Sequence, residues 1–252
     1  MAWRPDKKVN AYGEPTYWDS NYEQKRKEDG LDYKFEWYVD HEALLPVLES
    51  YFGTDKSQAI LIIGAGTSEI PQKMYEMGFR RLTCIDISPI VVSHMQTRYK
   101  EREGLDYICM DVRKMAAFPD NSFDAIIDKG TMDALFCSYR CMDDVLLMNQ
   151  EVCRVLAVGK VFLEVSHGHP EARLPYLRHH SLCWDPQHIR LPTNQGINIY
   201  HMTKLASPPT VPDNSKNERR GRRAGSLDLN VVRDLNETLE GVRDLARQYS
   251  ES

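Results

Sequence analysis

The chain has 252 residues, of which 42% are hydrophobic and 27% are charged. This composition is that of a globular protein long enough to bury a core, with one main domain as the default. The net charge of -5 provides no overall attraction for nucleic acid or for an anionic membrane surface, so we expect neither as a partner. The six cysteines are scattered, which is typical of reduced thiols in a cytoplasmic protein.

The N-terminal part of the chain, residues 1–55, is rich in aromatic residues and shows little periodicity before residue 41. From His41 to Tyr51 the apolar residues recur at helical spacing, which predicts a helix. The start of the chain lacks the apolar stretch of a signal peptide, and no run approaches the roughly 18 apolar residues of a membrane helix. We therefore expect a protein without a membrane span.

Short apolar runs then alternate with stretches of helical pattern. Because strands that alternate with helices form crossover connections, this pattern predicts a doubly wound α/β fold with a parallel sheet that is buried on both faces. The five predicted strands are Ala59–Ile63, Leu82–Ile87, Asp106–Met110, Phe123–Ile127 and Val161–Val165. The predicted helices between them run from a cap at Ser68 to Met77, from Ser88 to Tyr99, and over Tyr139–Leu156.

The last third of the chain is predicted to be more irregular. Two strand candidates, Cys183–Leu191 and Gly196–Leu205, are separated by four residues, which predicts an antiparallel hairpin. Residues 206–226 are too polar to bury themselves and are predicted to be a disordered linker. A final helix is predicted within residues 227–252, because Leu and Val recur there at helical spacing.

A glycine turn follows the first strand, where the sequence reads Gly64-Ala65-Gly66. Glycine allows the backbone to approach a ligand closely, and the helix that follows offers unpaired N–H groups. Many tight turns are only structural, and dinucleotide-binding proteins use a similar turn. The third glycine of the dinucleotide pattern is replaced here by Glu69, which is a poor neighbour for a pyrophosphate and favours S-adenosylmethionine.

Acidic residues follow the second and third strands. Asp86 comes twenty residues after Gly66, and a carboxylate at that place can accept hydrogen bonds from the two hydroxyls of a ribose. Asp111 follows the third strand, where it can accept the amino hydrogens of adenine while Val112 flanks the ring. Each aspartate alone is also typical of a turn or a helix cap. Their succession at the carboxyl ends of neighbouring strands, where open α/β sheets bind ligands, predicts a nucleotide site.

The fourth strand ends in the string Asp128-Lys129-Gly130-Thr131-Met132-Asp133-Ala134-Leu135. This string, together with the glycine turn, residues 110–114 and the N-terminal Tyr17-Trp18-Asp19-Ser20-Asn21-Tyr22, resembles the seven-strand, class I S-adenosylmethionine-dependent methyltransferases of the methyltransferase-like family. Within that family, the chain is most similar to the enzymes that methylate lysines of eukaryotic elongation factor 1-alpha. The family commonly has Cys at position 65 and Glu at position 128, where this chain has Ala and Asp.

The resemblance implies a Rossmann-like sheet of seven strands, mostly parallel with an antiparallel C-terminal hairpin, in a methyltransferase core over residues 56–205. It implies that S-adenosylmethionine is the cofactor, with S-adenosylhomocysteine as the product, and that residues 1–55 cover the cofactor site. The cofactor-binding residues that it implies are Trp18, Tyr22, Trp37, Gly64, Gly66, Asp86, Ile87, Asp111, Val112 and Lys129.

The function that the resemblance implies is methylation of a protein lysine, with a translation elongation factor as the expected substrate. Two alternatives stay open, a small-molecule methyltransferase and a non-catalytic protein that binds the cofactor and a partner. No catalytic residue is assigned, because Asp128 and Asp133 are each as well suited to orienting the acceptor as to bracing their loop. The five histidines from His167 to His188 lack the spacing of metal ligands, so we expect no metal site.

Overall fold

The computed structural model of the protein describes residues 11–30, 33–191 and 196–209. Within these ranges, seven strands form a single sheet. The strands are β1 Ile60–Ile63, β2 Leu82–Asp86, β3 Leu105–Cys109, β4 Phe123–Lys129, β5 Leu156–Ser166, β6 Trp184–Arg190 and β7 Asn198–Lys204. Most of the predicted linker and the predicted C-terminal helix lie outside the described residues.

The strands lie in the order β3-β2-β1-β4-β5-β7-β6. The pairs from β3 through to β5 are parallel, whereas β7 is antiparallel to both β5 and β6. The predicted doubly wound sheet with an antiparallel C-terminal hairpin is therefore confirmed. In this order the first strand is central, so the chain changes direction across the sheet between β1 and β4, and the carboxyl ends of both strands open into one crevice.

Helices cover both faces of the sheet in the part of the chain described. Their bounds are α1 Pro15–Asp29, α2 His41–Phe52, α3 Ile70–Glu76, α4 Pro89–Arg98, α5 Thr131–Leu135, α6 Cys141–Val155 and α7 Pro170–Leu177. In β1, Ile60 and Ile62 belong to the core that holds α2, α3 and α4, while Leu61 and Ile63 belong to the core that holds α5, α6 and α7. A strand buried on both faces gives the continuous apolar run seen in the sequence.

Two predictions about local structure were wrong, and a third was shifted by one residue. Helix α1 lies in the lead-in that was predicted to be irregular; none of its residues is buried, so it lacks the apolar stripe by which a helix is recognised. The helix predicted to start after Ser68 begins one residue later, at Ile70, whose backbone N–H donates to the Ser68 hydroxyl at 3.2 Å. Strand β5 begins at Leu156, five residues earlier than predicted, because the chain passes directly from α6 into the sheet.

No helix in the ranges described above combines the length and the apolar character needed to cross a bilayer.

Candidate functional site

The glycine turn after β1 has two glycines with left-handed backbone, Gly64 at φ 56° and Gly66 at φ 51°. A Cβ atom on Gly64 would lie 2.0 Å from the Thr131 hydroxyl oxygen, and one on Gly66 would lie 2.8 Å from the Tyr22 hydroxyl oxygen. Both positions therefore need glycine for its conformation and for its size. The neighbour that fills the space is different in each case, α5 beneath Gly64 and α1 above Gly66.

The carboxylate of Asp86 lies at the end of β2 and is buried. It accepts hydrogen bonds from the backbone N–H of Gly66 at 2.9 Å and of Ser88 at 3.0 Å. Burial raises the pKa of this carboxyl to about 6, although the backbone donors oppose that shift. The two turns that follow β1 and β2 are thus joined by one carboxylate.

Helix α1 is attached at the same place by Asp19, which the sequence analysis did not single out as a site residue. The Ser88 hydroxyl donates a hydrogen bond of 2.6 Å to the Asp19 carboxylate. Asp19 belongs to the N-terminal string that carried the family resemblance, so that string was the available signal. This bond holds α1 above the ends of β1 and β2.

The third predicted aspartate, Asp111, is bound to an arginine. Its two carboxylate oxygens accept hydrogen bonds from Nε and Nη2 of Arg113, at 3.0 and 2.7 Å. Arg113 also forms an ion pair of 3.0 Å with Asp144 on α6. The contact of Asp111 with adenine stays a prediction, and the structure adds a guanidinium beside it.

Aromatic side chains from the N-terminal segment cover the crevice. The rings of Trp18 and Tyr22 stack with their centroids 6.0 Å apart, and the Trp37 ring meets the Trp18 ring edge-on at 6.3 Å. The Trp18 indole nitrogen donates to the backbone oxygen of Tyr12 at 2.8 Å, which fixes the ring. The three predicted aromatic residues therefore lie together as a roof.

Glu36 fastens this roof to the sheet. Its carboxylate accepts hydrogen bonds from the Ser68 hydroxyl at 2.8 Å and from Lys129 at the end of β4. Lys129 also donates to the backbone oxygen of Trp37 at 3.1 Å. Burial lowers the pKa of Lys129, and the ion pair with Glu36 opposes this effect. Lys129 lines the crevice as predicted, but its ammonium group is engaged in holding the roof.

Two buried carboxyls lie behind the site, on the neighbouring strands β4 and β5. Asp128 pairs in register with Glu164, and both side chains are fully buried. Asp128 accepts the backbone N–H of Thr131 at 2.8 Å and of Met132 at 2.9 Å, so it braces the start of α5. Burial, together with the adjacent Asp128, raises the pKa of Glu164 well above its usual value.

Asp133 lies at the centre of a second group of contacts, on the side of β4 and β5. One of its oxygens accepts hydrogen bonds from the Ser166 hydroxyl at 2.6 Å and from Arg173 at 2.8 Å. The other accepts from the Tyr38 hydroxyl at 2.7 Å and from the backbone N–H of His167 at 2.9 Å. Burial raises the pKa of Asp133. Arg173 and the other donors lower that pKa by a larger amount, so the carboxyl stays ionised. Asp133 braces the site and remains unassigned as a catalytic group.

A cavity of about 630 Å³ runs through this crevice. All ten residues predicted to bind the cofactor line it, although their contacts with the cofactor stay predictions. The volume is in the range of small-molecule sites, and the lining is mainly apolar and aromatic with a few polar groups. A sulfonium cation fits such a site, because the faces of aromatic rings attract cations. The glycine turn and the Asp86 carboxylate supply the backbone clearance and the hydroxyl acceptor that a nucleoside needs.

The residues of this cavity that the sequence analysis did not predict include Tyr38, His167 and Arg173, while Asp133 was considered only as one of two alternatives. Tyr38 is next to the predicted Trp37, and Asp133 belongs to the string after β4. His167 and Arg173 lie outside the strings that carried the family resemblance. Sequence spacing provides no signal for them, because their partners come from distant parts of the chain.

Comparison with known proteins places these features in context. Residues 61–163 match the family model described as a methyltransferase domain. The human eEF1A lysine and N-terminal methyltransferase is 34% identical over 163 residues, which are 64% of this chain and 22% of that protein. The mouse EEF1A lysine methyltransferase 4 is 29% identical over 204 residues, which are 77% of this chain and 76% of that protein. This chain thus spans about a fifth of the length of the first relative.

Solved structures share the fold at lower identity. The 1,6-didemethyltoxoflavin-N1-methyltransferase of Burkholderia thailandensis, solved with S-adenosylhomocysteine, is 16% identical, with a TM-score of 0.56 over 81% of this chain and 93% of that chain. The [4+2]-cyclase SpnF is 15% identical, with a TM-score of 0.56 over 78% of this chain and 97% of that chain. Since a cyclase shares this fold, the reaction has to be argued from the site.

Proposed function

We propose that this chain, which belongs to the class I S-adenosylmethionine-dependent methyltransferases, transfers a methyl group to the side-chain amine of a lysine in another protein. The observation that carries the proposal is the cavity itself, which is mainly apolar and aromatic over its whole lining and continues past the predicted cofactor-binding residues to the carboxyl ends of β4 and β5. Such walls suit the long aliphatic stem of a lysine. They also disfavour the charged ammonium form, which cannot act as a nucleophile.

S-adenosylmethionine supplies an electrophilic methyl group on a sulfonium. The residues of the chain align the acceptor with that methyl group and exclude water, which is the main requirement of an in-line displacement. The roof formed by Trp18, Tyr22 and Trp37 excludes water from above, and the glycine turn forms the floor. A strong base is not required, provided that the amine arrives neutral.

For the substrate, we propose elongation factor 1-alpha. The support is that the human and mouse relatives are named for methylation of lysine in that factor. The mouse relative matches across most of both chains. Because a translation factor is the proposed substrate, we also propose that the protein acts in the cytoplasm.

The experiment is to incubate the purified protein with S-adenosylmethionine labelled in its methyl group and with cell extract or purified elongation factor 1-alpha. We expect a labelled band at the size of the factor and a methylated lysine by mass spectrometry. The Asp86→Ala variant serves as the inactive control, and Asp120→Ala, at an exposed ion pair, as its matched active control.

Two other outcomes would contradict the proposal. Label that appears only in small molecules would identify a small-molecule methyltransferase. Binding of S-adenosylhomocysteine without transfer of label to any acceptor would identify a non-catalytic protein that binds the cofactor.

A further inference from the structure

The cavity has two halves that follow from the order of the strands. Residues predicted to meet the ribose and the adenine follow β2 and β3, on one side of β1. On the other side, after β4 and β5, the cavity is lined by Tyr38, Asp133, His167 and Arg173. If the cofactor extends from β1 towards β3, its reactive methyl group lies at the boundary, and the acceptor has to enter from the β4 and β5 side.

Tyr38 is held in this second half by contacts from several elements. Its backbone is left-handed, at φ 70°, which is unusual for a residue with a large side chain. Its ring meets the His167 ring edge-on, with centroids 4.4 Å apart. A Cβ atom on Gly130, which directly follows β4, would lie 3.2 Å from the Tyr38 hydroxyl oxygen. Strained backbone persists where surrounding contacts over-determine it, and such residues concentrate at functional sites.

The hydrogen-bond direction at Tyr38 is fixed by Asp133. Because Asp133 is ionised and can only accept, the Tyr38 hydroxyl donates its hydrogen in the 2.7 Å bond between them. The remaining lone pairs on the Tyr38 oxygen can then only accept. The Arg173 guanidinium, which would otherwise attract an anionic acceptor, is bound to Asp133 and lies over the Phe136 ring at 4.1 Å.

We propose that the Tyr38 hydroxyl oxygen accepts a hydrogen bond from the acceptor amine, and that Asp133 is the positioning residue that orients this hydroxyl. This inference rests on the proposed function and adds the group that selects the acceptor. A neutral amine donates an N–H to Tyr38 and keeps its own lone pair directed at the methyl group. A carboxylate or phenolate acceptor has no hydrogen to donate and meets an oxygen lone pair instead.

In the reaction, the amine lone pair forms the new nitrogen–carbon bond while the electrons of the sulfur–carbon bond pass to sulfur. The nitrogen gains the positive charge and then loses a proton to water, which regenerates a neutral amine. An unmethylated lysine amine has two N–H groups in its neutral form, a monomethylated amine has one, and a dimethylated amine has none. The contact with Tyr38 therefore assists the first and second transfers and has no donor in the third.

The experiment compares wild-type protein with Tyr38→Phe, which removes the hydroxyl and retains the ring. The substrate is bacterially produced elongation factor 1-alpha, free of lysine methylation, and mass spectrometry follows each methylation state through time. Loss of one hydrogen bond to the reacting amine is expected to slow the first and second transfers roughly two- to tenfold. The third transfer is expected to keep its wild-type rate, and to stay absent where the wild type does not perform it.

The matched control is Tyr51→Phe, which removes a hydroxyl that is hydrogen-bonded to His201 at 2.8 Å and does not line the cavity. It is expected to keep all the rates, and both variants are expected to bind S-adenosylhomocysteine as the wild type does. Unchanged first and second transfers in Tyr38→Phe, or a third transfer that the wild type performs and that is slowed as much as the first two, would overturn the role of Tyr38 alone. A wild-type protein that methylates no lysine would overturn the proposed function and this inference with it.

Discussion

The two halves of the cavity are built in different ways. On the side of β1 to β3, the site consists of backbone turns that are joined by single side chains, as when Asp86 accepts the N–H groups of Gly66 and Ser88. On the side of β4 and β5, it consists of a network of side chains around Asp133, with contributions from the N-terminal segment, β5 and α7. The first half depends on the sheet and its turns, whereas the second depends on distant parts of the chain meeting.

This difference suits the two halves to different ligands. A cofactor is constant, and backbone turns at the ends of parallel strands present a constant surface to it. An acceptor differs from one enzyme to the next, and side chains on loops and short helices change without loss of the sheet. The difference can be tested with variants that affect one half at a time, or with a variant of Glu36, which contacts Ser68 after the glycine turn and Lys129 at the end of β4.

The largest effect is expected from Glu36→Ala, because Glu36 contacts both halves. This change leaves the buried ammonium of Lys129 without its carboxylate and frees the roof from the glycine turn. Breaking a buried ion pair costs about 3–5 kcal/mol, so we expect a clear fall in the free energy of unfolding and weaker binding of S-adenosylhomocysteine. Denaturant unfolding and calorimetric titration measure the two effects. The control Glu23→Ala removes an exposed pair with Lys27, and a similar loss there would contradict the role given to burial.

The next effect is expected in the acceptor half, from Arg173→Ala. Asp133 loses a charged partner in a poorly exposed position, which is expected to cost about 2–3 kcal/mol of stability and to displace Tyr38. We expect kcat/KM for the protein substrate to fall while the Kd for S-adenosylhomocysteine stays unchanged. Arg178→Ala is the control, since its ion pair with Asp185 is exposed. A parallel loss of cofactor affinity in Arg173→Ala would show that the two halves are not separable.

In the cofactor half, the raised pKa of Asp86 predicts a dependence on pH. The carboxyl has a pKa of about 6 in the folded protein, compared with an ordinary value of 3.8. Between pH 3.8 and pH 6 the folded protein therefore holds a proton that the unfolded protein has lost. The hydroxyls of the ribose need the ionised carboxylate as acceptor. The affinity for S-adenosylhomocysteine is therefore highest above pH 6 and falls below pH 6 by up to about tenfold per pH unit. Titration of S-adenosylhomocysteine from pH 7.5 to 5 measures this slope. Asp86→Asn is expected to bind weakly with no slope in this range.

The same pKa shift has the opposite effect on the stability of the protein without cofactor. Because the native state binds more protons than the unfolded state between pH 4 and 6, this carboxyl lowers the free energy of unfolding as the pH rises through that window. A slope of the opposite sign that is lost in Asp86→Asn would contradict the assignment of the raised pKa to Asp86.

The smallest effect separates the conformation of a glycine from its size. Gly66→Ala and Gly159→Ala both place a side chain on left-handed backbone, at φ 51° and 77°. Each is expected to lose about 1 kcal/mol of stability from that strain. The new Cβ meets Tyr22 in Gly66→Ala, whereas Gly159 has no neighbour within 4 Å. Only Gly66→Ala is therefore expected to weaken cofactor binding, and an equal loss in Gly159→Ala would remove Tyr22 from the explanation.

Much of the sheet and of its first three strand ends could be predicted from sequence, because the signals are local. An apolar run, a glycine turn and an aspartate at a strand end each lie within a few residues of one another. Gly64, Asp86 and Asp111 were found in this way, and Lys129 through the string around it. The roof of Trp18 and Trp37 was predicted from the family resemblance rather than from any periodicity.

The acceptor half could not be predicted because its bonds join residues far apart in the sequence. Tyr38 and Asp133 are separated by 95 residues, and Asp133 and Arg173 by 40. Helix α1 was missed for a related reason, since its aromatic residues do not recur at helical spacing along its length and it is fixed by contacts such as that of Asp19 with Ser88. Local propensity does not record such tertiary contacts.

The approach of Tyr22 to Gly66 has a consequence for how sequences of this kind diverge. The tyrosine hydroxyl occupies the space that any side chain at position 66 needs, so a change at either position alters what the other tolerates. Lineages that keep a large residue at position 22 are therefore expected to retain glycine at position 66, and those that lose it gain space there for the few other residues, such as Asn, that left-handed backbone admits. The two positions are expected to vary together across related proteins, as an inherited pair rather than as independent sites.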